Sequence, residues 1–149
     1  MVEEKSEKAL IRKYLNAGGK IVFLGTNPLF AICNPITGVL EDVTEKQASL
    51  VLGLEFSPQT YGYGHHLSIY THEGNRWGLL GSSIGFWPVN PKVVTNILAL
   101  DENGYAASWL KNYGGPDGSG LMQLYINPAG VLGADFFPMR AAIEYGIGW

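Results

Sequence analysis

Cys33 and the three histidines His65, His66 and His72 are the side chains of this chain best suited to covalent or metal chemistry. A catalytic cysteine needs a sharp strand-to-helix turn, usually G-x-C-x-G, that lifts its sulfur into a pocket beside a histidine. Here the surroundings read Phe30-Ala31-Ile32-Cys33-Asn34-Pro35, with no flanking glycine and a proline two residues on. A helix cannot begin there as such a turn demands, so Cys33 is expected to be a small buried hydrophobe. Neighbouring residues on a strand point to opposite faces, so His65 and His66 would not share a metal ion. Apart from Glu73, no cysteine or carboxylate stands at ligand spacing from them, so no metal site is expected and the histidines should hydrogen-bond locally.

Two further patterns have a chemical and a structural reading. The glycine-rich run Gly114 to Gly120 would hold a phosphate only if it opened a helix. It leads instead into the strand-like Leu121-Met122-Gln123-Leu124-Tyr125, so it reads as a hairpin loop and no cofactor is expected. Asp101, Glu102 and Asp117 could form an acid–base pair if brought together. They lie at turns, where short polar side chains bond their own backbone.

The aromatics Tyr61, Tyr63, Trp77, Phe86 and Trp87 cluster in a glycine-rich middle. Such a cluster can build a flat platform that stacks a sugar or a partner's apolar patch, or it can fill a core. Core packing is the expectation, Trp77 being placed on a strand. A carbohydrate-binding module using Tyr61, Tyr63, Trp77 and Trp87 is the alternative. Trp109 and Trp149 read as packing residues.

The elements that must position these groups follow from periodicity. Residues from about Glu3 to Ala17 form an amphipathic helix with Ala9, Leu10, Ile11 and Tyr14 as its apolar stripe. Gly18-Gly19 ends it. Lys20 to Gly25 is an unalternating apolar run, the mark of a strand covered on both faces. Thr44-Glu45-Lys46-Gln47 has capping-box spacing, predicting a helix from Glu45 to Leu52 that closes at Gly53. A strand is predicted around Leu67 to Thr71, a turn at His72 to Asn75, and a returning strand from Arg76 to Leu80. Asn96 to Asp101, Tyr105 to Asn112 and Leu121 to Asn127 read as an antiparallel meander, its first turn built on Asn103-Gly104. A helix from about Phe136 to Tyr145 closes the chain, with Pro138 in its first turn.

The 149 residues suit one domain, 1–149, able to bury roughly two-thirds of its unfolded surface. An apolar share of 46% against 15% charged residues argues against disorder. The net charge of −3 offers no basic footprint, so neither nucleic acid nor an anionic membrane is expected as a partner. A lone cysteine fits a reducing, cytoplasmic setting. The charged first residues do not read as a signal peptide, which needs an apolar run there, and no run approaches the length of a membrane span.

Three segments together resemble the later part of a class I glutamine-amidotransferase-like domain. They are Leu10 to Val22 with its double glycine, Lys46 to Phe56, and Ile97-Leu98-Ala99 through Trp109 to Gly114 followed by Gly118 to Tyr125. Within that superfamily the pattern is similar to trehalose-utilisation-protein-like domains and to the middle domain of family-42 β-galactosidases. The resemblance implies a flavodoxin-like α/β layer, here partial or reduced, with the meander as a C-terminal antiparallel extension. The complete fold has strand–helix units before the first helix, which implies a fragment or a reduced variant.

The nucleophile elbow of the catalytic members is missing. The resemblance therefore implies a non-catalytic domain with a protein-interaction or oligomerisation role in a carbohydrate-related protein. The enzyme alternative is a Cys-dependent hydrolase or amidotransferase using Cys33 with His65 or His66.

Overall fold

Glycine reaches positive φ without the steric cost that a Cβ imposes, and Gly18, at φ +91°, ends the first helix of this chain. The computed structural model describes residues 3–25, 31–33, 36–42, 45–57, 66–85, 87–116, 118–125 and 136–147. In chain order these form α1 (Glu3–Asn16), β1 (Lys20–Leu24), β2 (Ala31–Cys33), β3 (Leu40–Asp42), α2 (Glu45–Leu52), β4 (His66–Tyr70), α3 (His72–Arg76), β5 (Ser82–Gly85), β6 (Asn96–Asp101), β7 (Ala106–Lys111), β8 (Gly120–Leu124) and α4 (Phe136–Ile147). The chain is of mixed α/β class. Gly53 closes α2 at φ +62°, and Gly104 shapes the β6–β7 turn at φ +81°.

Six strands make one sheet in the order β1-β8-β7-β6-β4-β5, and β2 and β3 form a separate hairpin. β1 runs parallel to β8, from Lys20↔Gly120 to Leu24↔Leu124. The other neighbours are antiparallel, so the meander β6-β7-β8 stands where the sequence places it. Register shifts between Ile97 and Ala99 and between Ala99 and Leu100 interrupt the β6–β7 ladder. Bulges of this kind bend and twist a sheet. The sheet accordingly curls into a half-barrel. Two strands, β6 and β4, separate β5 from β7, yet a Cβ on Gly85 would stand 2.7 Å from the Ala107 Cβ.

β1 packs against a cluster on each of its faces, as its unalternating run predicts. In β1, Val22 packs into one cluster while Ile21 and Phe23 pack into the other, a period of two. Leu98, Met122, Leu124, Ala141 and Tyr145 build the first cluster beneath α3 and α4. Leu15, Leu52, Leu54, Val89, Trp109 and Leu121 build the second, beneath α1 and α2. All five residues of β8 are buried.

Two sequence expectations are corrected. On α1 the core anchor is Leu15, fully buried, with Ile11 beside it, whereas Leu10 and Tyr14 are 62% and 52% exposed. Both pairs have i, i+4 spacing, so periodicity alone does not choose between them. Arg76 to Leu80 is not a strand, and His72 to Arg76 is a short helix and not a turn. Thr71 caps it, its hydroxyl accepting from the Gly74 N–H at 3.1 Å and donating to the Ile97 carbonyl at 2.6 Å. Gly74 lets this helix press onto β6, because a Cβ there would collide with the Leu98 carbonyl oxygen. Trp77 is thus a helix C-cap, and the returning strand is Ser82–Gly85.

Candidate functional site

Cys33 ends β2 opposite Leu40 of β3 and therefore sits on a hairpin strand. His66 opens β4 opposite Gly85, and His72 is an exposed residue at the start of α3. His65, Thr44, Tyr61, Tyr63, Phe86, Asp117 and Trp149 lie outside the described residues. No group of three or more metal-ligating side chains occurs among the described residues. Glu73, the one carboxylate at ligand spacing, is engaged by Arg76 at 3.1 Å and by the Asn96 amide at 3.4 Å.

The turn residues are occupied structurally. The buried Asp101 carboxylate accepts from the Asn103 and Tyr105 N–H groups at 2.9 and 2.8 Å. The glycine-rich loop is gathered by Asn112. Its Nδ2 donates to the Pro116 and Ser119 carbonyls at 3.1 and 3.2 Å, and its Oδ1 accepts from the Gly114 N–H at 2.6 Å. Trp77 packs edge-on against Tyr145, ring centroids 5.9 Å apart, within the cluster beneath α4. Trp87, half-buried at φ +52°, leads into Val89 of the opposite cluster.

Chemistry on a surface needs exposed groups of one character, and α4 supplies them. Its buried side is Pro138, Ala141, Ala142 and Tyr145. Met139, Ile143 and Ile147 form a second stripe at i, i+4, i+8 and are 51, 61 and 79% exposed. Arg140 and Glu144 flank it, paired at 2.7 Å. An open groove of about 370 Å³ lies here, lined among the described residues by Met139, Arg140, Ile143 and Glu144. A helix apolar on both sides covers a core on one and, in water, invites a second surface on the other.

The edge of the sheet beside α4 is β1. The bonds from Gly120 N–H to Gly19 O and from Gly25 N–H to Leu124 O set which residues face β8. By alternation, Lys20, Val22 and Leu24 turn their backbone groups outward. The Tyr14 hydroxyl meets both outward groups of Lys20, donating to its carbonyl at 3.2 Å and accepting from its N–H at 3.3 Å. The Lys20 ammonium lies over the Tyr145 ring and donates to the Tyr145 carbonyl at 3.1 Å, tying β1 to the last turn of α4. Val22 and Leu24 make no such outward bond among the described residues. Unpaired edge groups are a template for a further strand.

Two buried tyrosines stand in contrasting environments. The Tyr113 hydroxyl donates to the Leu52 carbonyl at 2.9 Å, and the Arg12 guanidinium and the Lys111 ammonium lie 4.5 and 5.6 Å from its ring centroid. Lys111 also donates to the Gly53 and Val93 carbonyls, so both side chains cap the end of α2. The Tyr145 hydroxyl is buried and meets no partner among the described residues. Removing a bonded buried hydroxyl strands its acceptor, whereas removing an unbonded one relieves a desolvated group. At neutral pH Tyr113→Phe is expected to cost about 1–2 kcal/mol and Tyr145→Phe nothing or less, as checked by urea denaturation.

Residues 2–137 match the sequence pattern of the MJECL34 family. The chain belongs to the MJECL34 family. No curated protein and no solved structure gives a match. The exposed α4 stripe of this MJECL34 chain is a feature that the sequence analysis does not single out. Its signal was present: Phe137, Met139, Ala141, Ala142, Ile143, Tyr145 and Ile147 go all the way round one short helix. No helix among the described residues is long and apolar enough to cross a membrane.

Proposed function

We propose that this chain is a non-catalytic amidotransferase-like domain that works through protein contacts, with α4 as the contacting element. The observation that carries the reading is the exposed Met139, Ile143 and Ile147 stripe on a helix whose opposite side is core. The outward backbone groups of Val22 and Leu24 on the neighbouring edge, unbonded among the described residues, support it. The placement of Cys33 within a strand supports the non-catalytic part, since a strand residue lacks the turn that raises a nucleophile. The flavodoxin-like layer belongs to the same proposal. It is supported by the parallel β1–β8 pair and by helices on both faces, while the remaining strand pairs are antiparallel. A setting in a carbohydrate-related protein rests on the resemblance alone.

A photo-crosslinking residue at Ile143, in the full chain in living cells, is expected to form protein adducts. The same residue at exposed Asn103, on the β6–β7 turn, should form few. Equal yields at both positions would remove the reading. A thiol probe should label Cys33 no faster than a free cysteine at pH 7, and rapid labelling would restore the enzyme alternative.

One observation favours carbohydrate binding as a second reading. A tryptophan at φ +52° holds strained backbone, and such strain gathers at ligand sites. A glycan array followed by Trp87→Ala on any hit tests it, and silence across a broad array would end it.

A further inference from the structure

We infer that the occupant of the α4 stripe is a second copy of this chain, bound through antiparallel pairing of α4 with its symmetry mate. The inference rests on the protein-contact reading above and names its partner. It follows from charge placed beside apolar surface.

On a helical wheel Met139, Ile143 and Ile147 define one direction, and Arg140 and Glu144 both fall on the same flank of it. A two-fold axis perpendicular to the helix and passing near Ile143 reverses the helix direction and keeps that flank on the same side. Ile143 then meets its own copy, and Met139 meets Ile147 of the other chain. Arg140 lies about three residues before the axis and Glu144 about one after it. The rotation therefore sets each Arg140 within about two residues, or ~3 Å along the axis, of the other chain's Glu144.

The present intrahelical pair at 2.7 Å becomes a four-charge square of alternating sign. Such a surface is complementary to itself, which is what a two-fold interface requires. The groove between Met139, Arg140, Ile143 and Glu144 gives the incoming side chains a place to sit.

The stripe spans about nine residues, or ~12 Å, so the contact is smaller than the ~800 Å² per partner of a standard interface. Association is accordingly weak and is read at high protein concentration. Sedimentation equilibrium of the full chain should show the average mass rising from 16.2 kDa toward twice that value. Ile143→Glu, at an exposed position, should abolish the rise with the circular dichroism melt unchanged.

Charge reversal tests the geometry. Arg140→Glu alone and Glu144→Arg alone should each weaken association about tenfold, because each homodimer would carry two like-charge contacts. An equimolar mixture of the two variants should recover wild-type association. In the mixed dimer the introduced glutamate of one chain faces the introduced arginine of the other, and the native Glu144 of the first faces the native Arg140 of the second. A wild-type chain that stays at 16.2 kDa, or a mixture no better than its components, would overturn the inference. Crosslinks from position 143 that reach only other proteins would overturn it too, while leaving the protein-contact reading standing.

Discussion

Gly120→Ala is expected to cost this protein roughly 3–6 kcal/mol, most of the 5–15 kcal/mol that holds a typical domain folded. Two terms add. Gly120 sits at φ +126°, a backbone conformation that costs a residue with a Cβ about 1–3 kcal/mol. An added Cβ would also collide with the Lys111 carbonyl oxygen, with the Lys111 carbonyl carbon 2.9 Å away and the Asn112 Cα 3.0 Å away. Those atoms are backbone of the neighbouring strand and cannot rotate aside. Gly120 N–H also bonds to Gly19 O, so a shift of Gly120 would pull β8 from β1 as well as from β7.

Gly114→Ala is the control, because Gly114 has φ +88° with open space where its Cβ would go. It should show the strain alone, about 1–2 kcal/mol. Thermal or urea unfolding of the two variants separates the collision from the strain. Equal losses would mean that β7 and β8 approach less closely at Gly120 than the structure shows.

The same contrast between backbone code and packing explains what could be read from the amino-acid order. Gly18, Gly53 and Gly104 act on their own residue's φ, so the ends of α1 and α2 and the β6–β7 turn were legible without tertiary information. That β1 packs on both faces was legible because an unalternating apolar run has few other uses, although its residues are half-buried and Leu24 is exposed. The face of α1 was not, since Leu10 with Tyr14 and Ile11 with Leu15 are equally good stripes. Tyr14 leaves the core to bond Lys20 at the sheet edge, a choice made between elements. It can cross there because Gly19 has no Cβ to meet its ring.

α3 escaped prediction because five residues hold too little periodicity, and its stability comes from Thr71 and from Gly74 against β6. The curl of the sheet depends on a register between β6 and β7 that no local pattern encodes. The α4 stripe was in plain view as apolar excess. What it lacked was knowledge of which side faces the core, and only the packed sheet supplies that.

The steepest pH dependence is expected on the alkaline side, and it comes from Tyr113 and Tyr145. Burial pushes the Tyr145 phenol up to about 12, with the Tyr14 hydroxyl adding to the shift. Burial raises Tyr113 well above the ordinary 10, against a smaller opposing pull from the Arg12 guanidinium. The unfolded chain releases both protons near pH 10, while the folded chain keeps them. Folded protein therefore binds more protons above pH 10, and stability falls as pH rises. The contribution is whole below pH 10. For Tyr145 it is lost between about 10 and 12, and for Tyr113 the loss begins at 10 and runs higher.

Each tyrosine contributes about 1.4 kcal/mol per pH unit within its window, so the pair gives a slope near ~2.7 kcal/mol per unit where the windows overlap. Lys111 acts in the opposite sense. Burial, with Arg12 adding, lowers its pKa, so the folded chain gives up that proton first and gains stability up to 10.5. Above 10.5 that offset is complete, and the tyrosine slope stands alone.

Urea melts at half-unit steps from about pH 9 to 11.5 should therefore show a gentle decline that steepens past ~10.5. Tyr145→Phe should remove about half of the steep slope, and Tyr113→Phe together with Tyr145→Phe nearly all of it. A double variant as steep as wild type would place the alkaline loss on other groups and would mean that water reaches both phenols in the folded state.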